Sequence, residues 1–130
     1  MYLDANFFIF AKLSTDTKGS RARTILNQIV LGKKAITSSL ALDEVMWIFI
    51  KNKQVDKMRP IIEEIYSIKN LEVKEVSATT PLIALNFIEK YNLKPRDAFH
   101  LAIMENFNVK EIVSDDSDFD RIKGIKRIKL

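Results

Sequence analysis

The chain has 130 residues, 47% hydrophobic and 29% charged, with three Gly, three Pro, no Cys and one His. That length suits one domain, residues 1–130, which buries about two-thirds of its unfolded surface, and the composition excludes global disorder and collagen-like order. Twenty-one Lys and Arg against 17 Asp and Glu give a net charge of +4, a weak pointer to an anionic partner, while the missing Cys and single His mean that any metal must be held mainly by oxygen, which suits Mg²⁺ or Mn²⁺.

Tyr2 and Leu3 read as a short buried strand ending at Asp4. Residues 5–11 form an apolar run too long to continue that strand, so a helix is expected there. Polar residues 14–20, with Gly19, read as a loop, and residues 21–31 as a helix with Ala22, Ile25, Leu26, Ile29 and Val30 on one face, stopped by Gly32. A short strand follows at Ala35, Ile36 and Thr37; Ser38 or Ser39 then caps a helix over residues 40–51. Residues 55–69 carry Met58, Ile61, Ile62, Ile65 and Ile68 at helical spacing, with Pro60 marking a kink or a later start.

Alternation over residues 71–76 predicts a half-buried strand, and Pro81 in a first turn opens a helix carrying Leu82, Leu85 and Ile88. Residues 91–95 read as a turn, 96–106 as a helix, 110–113 as a strand, and Ile125 to Leu130 as a closing edge strand. Strands alternating with helices predict a three-layer α/β/α fold around a short, mainly parallel, Rossmann-like sheet. The longest stretch free of charge, residues 76–88, is too short and polar to span a bilayer. No basic segment opens the chain, so a cytoplasmic location without membrane contact is expected.

Ligands of open parallel sheets bind beyond the carboxyl ends of the strands. Asp4 and the pair Asp115 and Asp116 sit at such ends, and right-handed crossovers can bring those strands together. An acid after a strand also serves as a helix cap, so neither position alone identifies a site. Glu44 has Leu40, Ala41, Trp47 and Ile48 three and four residues away, on the helical face expected to pack on the sheet. A carboxylate there is paired, protonated or bound to a cation. Asp97 lies in a first helical turn, where the dipole favours it; His100, one turn on, either bonds Asp97 or fills space. Four acids at one end of a sheet repel one another unless a divalent cation neutralises them, and a carboxylate-held Mg²⁺ is a standard device for phosphodiester cleavage.

Four segments in order carry a family resemblance: Tyr2 to Asn6; Ser39 to Val45 around Glu44; Pro95, Arg96, Asp97, Ala98, Phe99 and His100; and Ile112 to Asp120, with Ser114 two residues before Asp116. Together they resemble the PIN domain, and most of all the small VapC-type ribonuclease toxins of type II toxin–antitoxin pairs. The resemblance covers essentially the whole chain. It implies an endoribonuclease that uses Mg²⁺ or Mn²⁺, with Asp4 and Asp97 as the principal metal ligands. By the same resemblance Asp116 completes the site, with Asp118 second in register, Glu44 ligates or orients the attacking water, and Asn6 stands behind the ligands. Asp120 is expected to balance the basic tail. An RNA substrate, an antitoxin protein and a homodimer or tetramer are the implied partners.

Phosphatases of the haloacid-dehalogenase type need a second Asp where Asn6 stands, and response-regulator receivers need an Asp after a middle strand that has none. The alternative from another class is a PIN-like module that binds RNA or protein without cutting, against which the intact acids speak. Phe7, Phe8, Phe10, Ile61 and Ile65 are expected at a dimer surface, being more apolar area than one small sheet covers. Lys33 and Lys34, and the basic residues from Arg121 to Lys129, are candidate phosphate contacts.

Overall fold

The computed structural model describes residues 1–130. Five strands, β1 (Tyr2–Leu3), β2 (Ala35–Ser38), β3 (Leu71–Lys74), β4 (Glu111–Ser114) and β5 (Lys126–Lys129), form one parallel sheet in the order β3-β2-β1-β4-β5. The expected α/β architecture holds. The chain builds outward from β1 in one direction through β2 and β3, then returns to the other side of β1 with β4, so the order reverses between β1 and β4. Tyr2 and Leu3 pair with Ile112 and Val113 across that boundary.

Six helices cover the sheet: α1 (Ala5–Leu13), α2 (Thr17–Val30), α3 (Ser39–Lys51), α4 (Val55–Ser67), α5 (Thr80–Tyr91) and α6 (Pro95–Asn106). Successive strand residues point to opposite faces. Leu3 and Val113 accordingly join a core with Phe7, Phe8, Ile29, Phe49 and Ile65 from α1 to α4. Tyr2 and Ile112 join the opposite core with Ala84, Leu101, Ile103 and Met104 from α5 and α6. Both faces of the central strands are thus buried.

Four expectations are corrected. The segment 14–20 is not all loop: α2 begins at Thr17, because Asp16 caps it by accepting the Gly19 N–H at 3.0 Å. Gly19 is there for space, since a Cβ would stand 2.1 Å from the Ser14 carbonyl oxygen. Of the two expectations for Pro60, the later start does not hold, because α4 begins at Val55 and contains it; Pro60 is exposed, so the carbonyl it leaves unpaired can meet water. Phe7, Phe8 and Ile65, expected at a dimer surface, are 0–2% exposed, because four helices crowd one face of the sheet and cover them. Trp47, expected to pack on the sheet, is instead 55% exposed. No helix is long and apolar enough to cross a membrane.

Candidate metal centre

The acids gather where the strand order reverses. Asp4 leaves β1 in extended conformation and caps α1, its carboxylate accepting the Phe7 N–H at 3.2 Å. It is only 5% exposed, and this burial pushes its carboxyl up to about 6, against the opposing pull of a Ser114 hydrogen bond, the His100 ring and the Phe7 amide. The bland role of a cap and the expected place at the strand end therefore coincide in one residue.

On the far side of the reversal, Ser114 ends β4, and its hydroxyl accepts the Asp116 N–H at 3.0 Å. Asp116 in turn caps a 3₁₀ turn, Ser117–Arg121, accepting the Asp118 N–H at 2.8 Å. Two tight caps in succession hold Asp116 and Asp118 on one short segment. Facing them is Asp97, in the first turn of α6 after Pro95. One carboxylate oxygen from each of Asp97, Asp116 and Asp118 lies within 4.8 Å of the other two. Burial, then the charges of Asp116 and Asp118, raise the Asp97 carboxyl above its usual range, with His100 and Lys94 opposing.

Asp97 Oδ2 is buried and has no hydrogen-bond partner. A desolvated carboxylate oxygen with no donor, set against two more carboxylates, is unfavourable for three anions alone. The donor set, all oxygen and all anionic, fits a hard divalent cation of the Mg²⁺ type rather than a soft one.

Asp4 and Glu44, expected at this site, are not part of that trio. They form a second group joined to it through His100, whose ring lies within electrostatic reach of both Asp4 and Asp97. Glu44 is paired, as its position on α3 demanded, but with a histidine: His100 Nε2 lies 2.8 Å from Glu44 Oε1. His100 thus neither bonds Asp97 nor merely fills space. Its Nδ1 stands 2.6 Å from the Tyr2 hydroxyl, which also meets Ser38 Oγ at 2.7 Å. Asn6 lies half-buried in the first turn of α1 without a side-chain hydrogen bond.

The remaining acids of the crowded segment are engaged elsewhere. Asp115 meets Lys18 at 2.6 Å, and Asp120 takes both Arg127 Nε and Nη2, at 2.8 and 2.6 Å. Asp120 thus balances the tail, though through Arg127. That pairing, with Lys126 on Glu111, withdraws two tail cations from the candidate phosphate contacts. The site residues that sequence reasoning missed are Tyr2 and Ser38. The available signal was a tyrosine in a fully buried strand, whose hydroxyl needs a polar partner. A surface cavity of about 250 Å³ lined by Phe87, Leu101, Glu105, Lys110, Lys123 and Gly124 lies toward the opposite ends of β4 and β5 and contains none of the acids of the candidate site.

Residues 1–125 match the family described as PIN domain. Ribonuclease VapC13 of Mycobacterium tuberculosis is 28% identical over 98 residues, which span 75% of this chain and 74% of that protein. Among solved structures, VapC20 of M. tuberculosis, described as a Sarcin-Ricin loop cleaving toxin, superposes with a TM-score of 0.76 at 16% identity over 92% of each chain. VapBC2 of Rickettsia felis, bound to a DNA fragment from its promoter, gives 0.76 at 17% identity over 98% of this chain and 96% of that one.

Proposed function

The chain belongs to the PIN domain family, and from that premise we propose that it is a Mg²⁺- or Mn²⁺-dependent endoribonuclease, the toxin of a toxin–antitoxin pair. The single observation that carries this reading is Asp97 Oδ2, buried without a donor among the carboxylates of Asp116 and Asp118. The ribonuclease named among its relatives supports the same activity. Asp97 would hold the metal with Asp116 and Asp118, the trio that converges, and the family resemblance adds Asp4, across the strand reversal, as the second principal ligand. A cation held there supplies a Lewis acid that lowers the pKa of a bound water and stabilises charge on the leaving oxygen.

The protein's own residues do the rest. The two caps at Asp116 fix the trio's geometry before substrate arrives. Glu44, with Oε1 engaged by His100, keeps Oε2 available to orient the attacking water. Lys94, close enough to act on the Asp97 charge, would offer a counter-charge to an incoming phosphate. The further expectations belong to the same proposal: one domain over residues 1–130, RNA as substrate, an antitoxin as protein partner, a cytoplasmic site of action, and a homodimer or tetramer. For assembly, the apolar residues to consider are now the exposed Trp47, Ile50, Val55, Leu82 and Leu85.

Purified chain incubated with structured RNA in Mn²⁺ tests the activity. Cleavage should stop in EDTA, return with added metal, and be absent in Asp97→Asn. Cutting that survives both EDTA and Asp97→Asn would overturn the proposal. Light scattering that finds only a 15 kDa species at micromolar concentration would remove the oligomer from it.

A further inference from the structure

The hydrogen bonds behind Glu44 form a closed circuit. An ionised Glu44 only accepts, so His100 Nε2 is the donor across the 2.8 Å contact. In the uncharged ring Nδ1 is then bare and accepts the Tyr2 hydroxyl proton at 2.6 Å. The Tyr2 oxygen faces Ser38 Oγ at 2.7 Å, and Ser38 Oγ accepts the Ala41 N–H at 3.2 Å. Ser38 caps α3, the helix that carries Glu44. The circuit therefore leaves α3 at its first turn, passes through β1 and α6, and returns to α3 one turn later.

Tyr2, Ser38 and His100 are 0–3% exposed, whereas the Glu44 side chain is 20% exposed. Three buried groups thus terminate on one carboxylate that solvent reaches. Any buried imidazole needs both ring nitrogens partnered; what sets this one apart is that one partner is the carboxylate that solvent reaches and the other leads back to the cap of the helix that carries it. We infer that His100 is a positioning residue which, backed by Tyr2 and Ser38, fixes the Glu44 carboxylate at the reaction site. The inference rests on the ribonuclease reading, in which Glu44 orients the attacking water.

The test combines kinetics with a spectroscopic signature. His100→Leu should lower kcat by about 10–100-fold, the usual loss when the group holding a functional ligand is removed, with the KM for RNA nearly unchanged. His100→Gln, which can place an amide N–H where Nε2 stood, should restore most of the rate. Tyr2→Phe, which keeps the ring and removes the hydroxyl, should lose less than His100→Leu. In a Glu44→Gln background His100→Leu should cost nothing more, because the group it positions is already gone. His100 is the only histidine, so imidazole ¹H–¹⁵N spectra of the intact protein contain one ring, expected to carry its proton on Nε2. Wild-type kcat in His100→Leu, additive losses in the double variant, or a proton on Nδ1 with Nε2 bare would each overturn the inference. A wild type that cuts no RNA, or an Asp97→Asn that still cuts, would overturn instead the reading on which it rests.

Discussion

Replacing Asp97 by Asn keeps its shape and removes one negative charge from the trio. Two unit charges 4.8 Å apart repel by roughly 3.5 kcal/mol at an effective dielectric of about 20. Asp97 and Asp116 are only part-buried and the Asp118 side chain is 43% exposed, so solvent screening and partial protonation should leave on the order of 1 kcal/mol per neighbour. Against that relief stands the loss of a favourable helix-dipole contact in the first turn of α6, about 0.5 kcal/mol. Repulsion from two neighbours outweighs it. In EDTA, Asp97→Asn should therefore melt about 5–7 °C above wild type, the net relief being about 1.5 kcal/mol and the rise about 3–5 °C per kcal/mol for a chain of this length. In Mn²⁺ at about 100 times its Kd, wild type gains roughly 2.7 kcal/mol that the variant largely forgoes, and the order reverses. Differential scanning fluorimetry of both proteins in both buffers reads the crossover. A variant that melts lower in EDTA as well would refute the argument, because it would make Asp97 a helix-stabilising acid and nothing more.

Stability in EDTA should fall as pH rises from about 4 to 6. The folded Asp4 carboxyl, pushed up to about 6 from 3.8, binds its proton more tightly than the unfolded one, so the stability is present below pH 4 and is lost above 6, by about 3 kcal/mol; Asp97 acts in the same direction. Asp4→Asn, which can still cap α1, should flatten that slope, and an unchanged slope would dissociate it from Asp4. Gly19→Ala should destabilise despite a gain in helix propensity of about 1 kcal/mol, since its Cβ would meet the Ser14 carbonyl oxygen at 2.1 Å; urea denaturation reporting a rise in midpoint would contradict this. Arg127→Ala leaves Asp120 without its bidentate partner and the Ser114 carbonyl without a donor at 3.3 Å, and should cost about 1–3 kcal/mol. Because Ser114 also anchors Asp116, Mn²⁺ binding measured by calorimetry should weaken in the same variant.

The sheet was legible because its central strands are buried on both faces. Tyr2 and Leu3, or Ile112 and Val113, give near-continuous apolar runs rather than alternation, which is how parallel strands read. Helices with a single apolar stripe were equally plain. What escaped was set by approaches between segments: Gly19 looks like a loop breaker until the Ser14 carbonyl is seen pressed against it. The excess of Phe and Ile in α1 and α4 looks like an interface until four helices are stacked on one face. Within the site, Asp4, Asp97 and Asp116 could be placed by strand ends and motif spacing. Register ranked Asp118 second to Asp116; both stand in the trio because two successive caps turn the chain there.

Glu44 shows where such reasoning stops. Its place on an apolar stripe of α3 required a partner, and the many lysines were the obvious choice. The partner is 56 residues away, on α6, and its identity changes the electrostatics. A lysine donates to a carboxylate only as a cation, so it would cancel the charge it holds. An imidazole N–H can donate without carrying charge, so His100 can hold Glu44 in place and leave its charge in the site. Arg121, 3.9 Å from Asp118, and Lys94, which acts on Asp97, offset only part of the charge of the five acids. A site built in that way suits a cation from solution, the same kind of partner that the unpartnered oxygen of Asp97 fits.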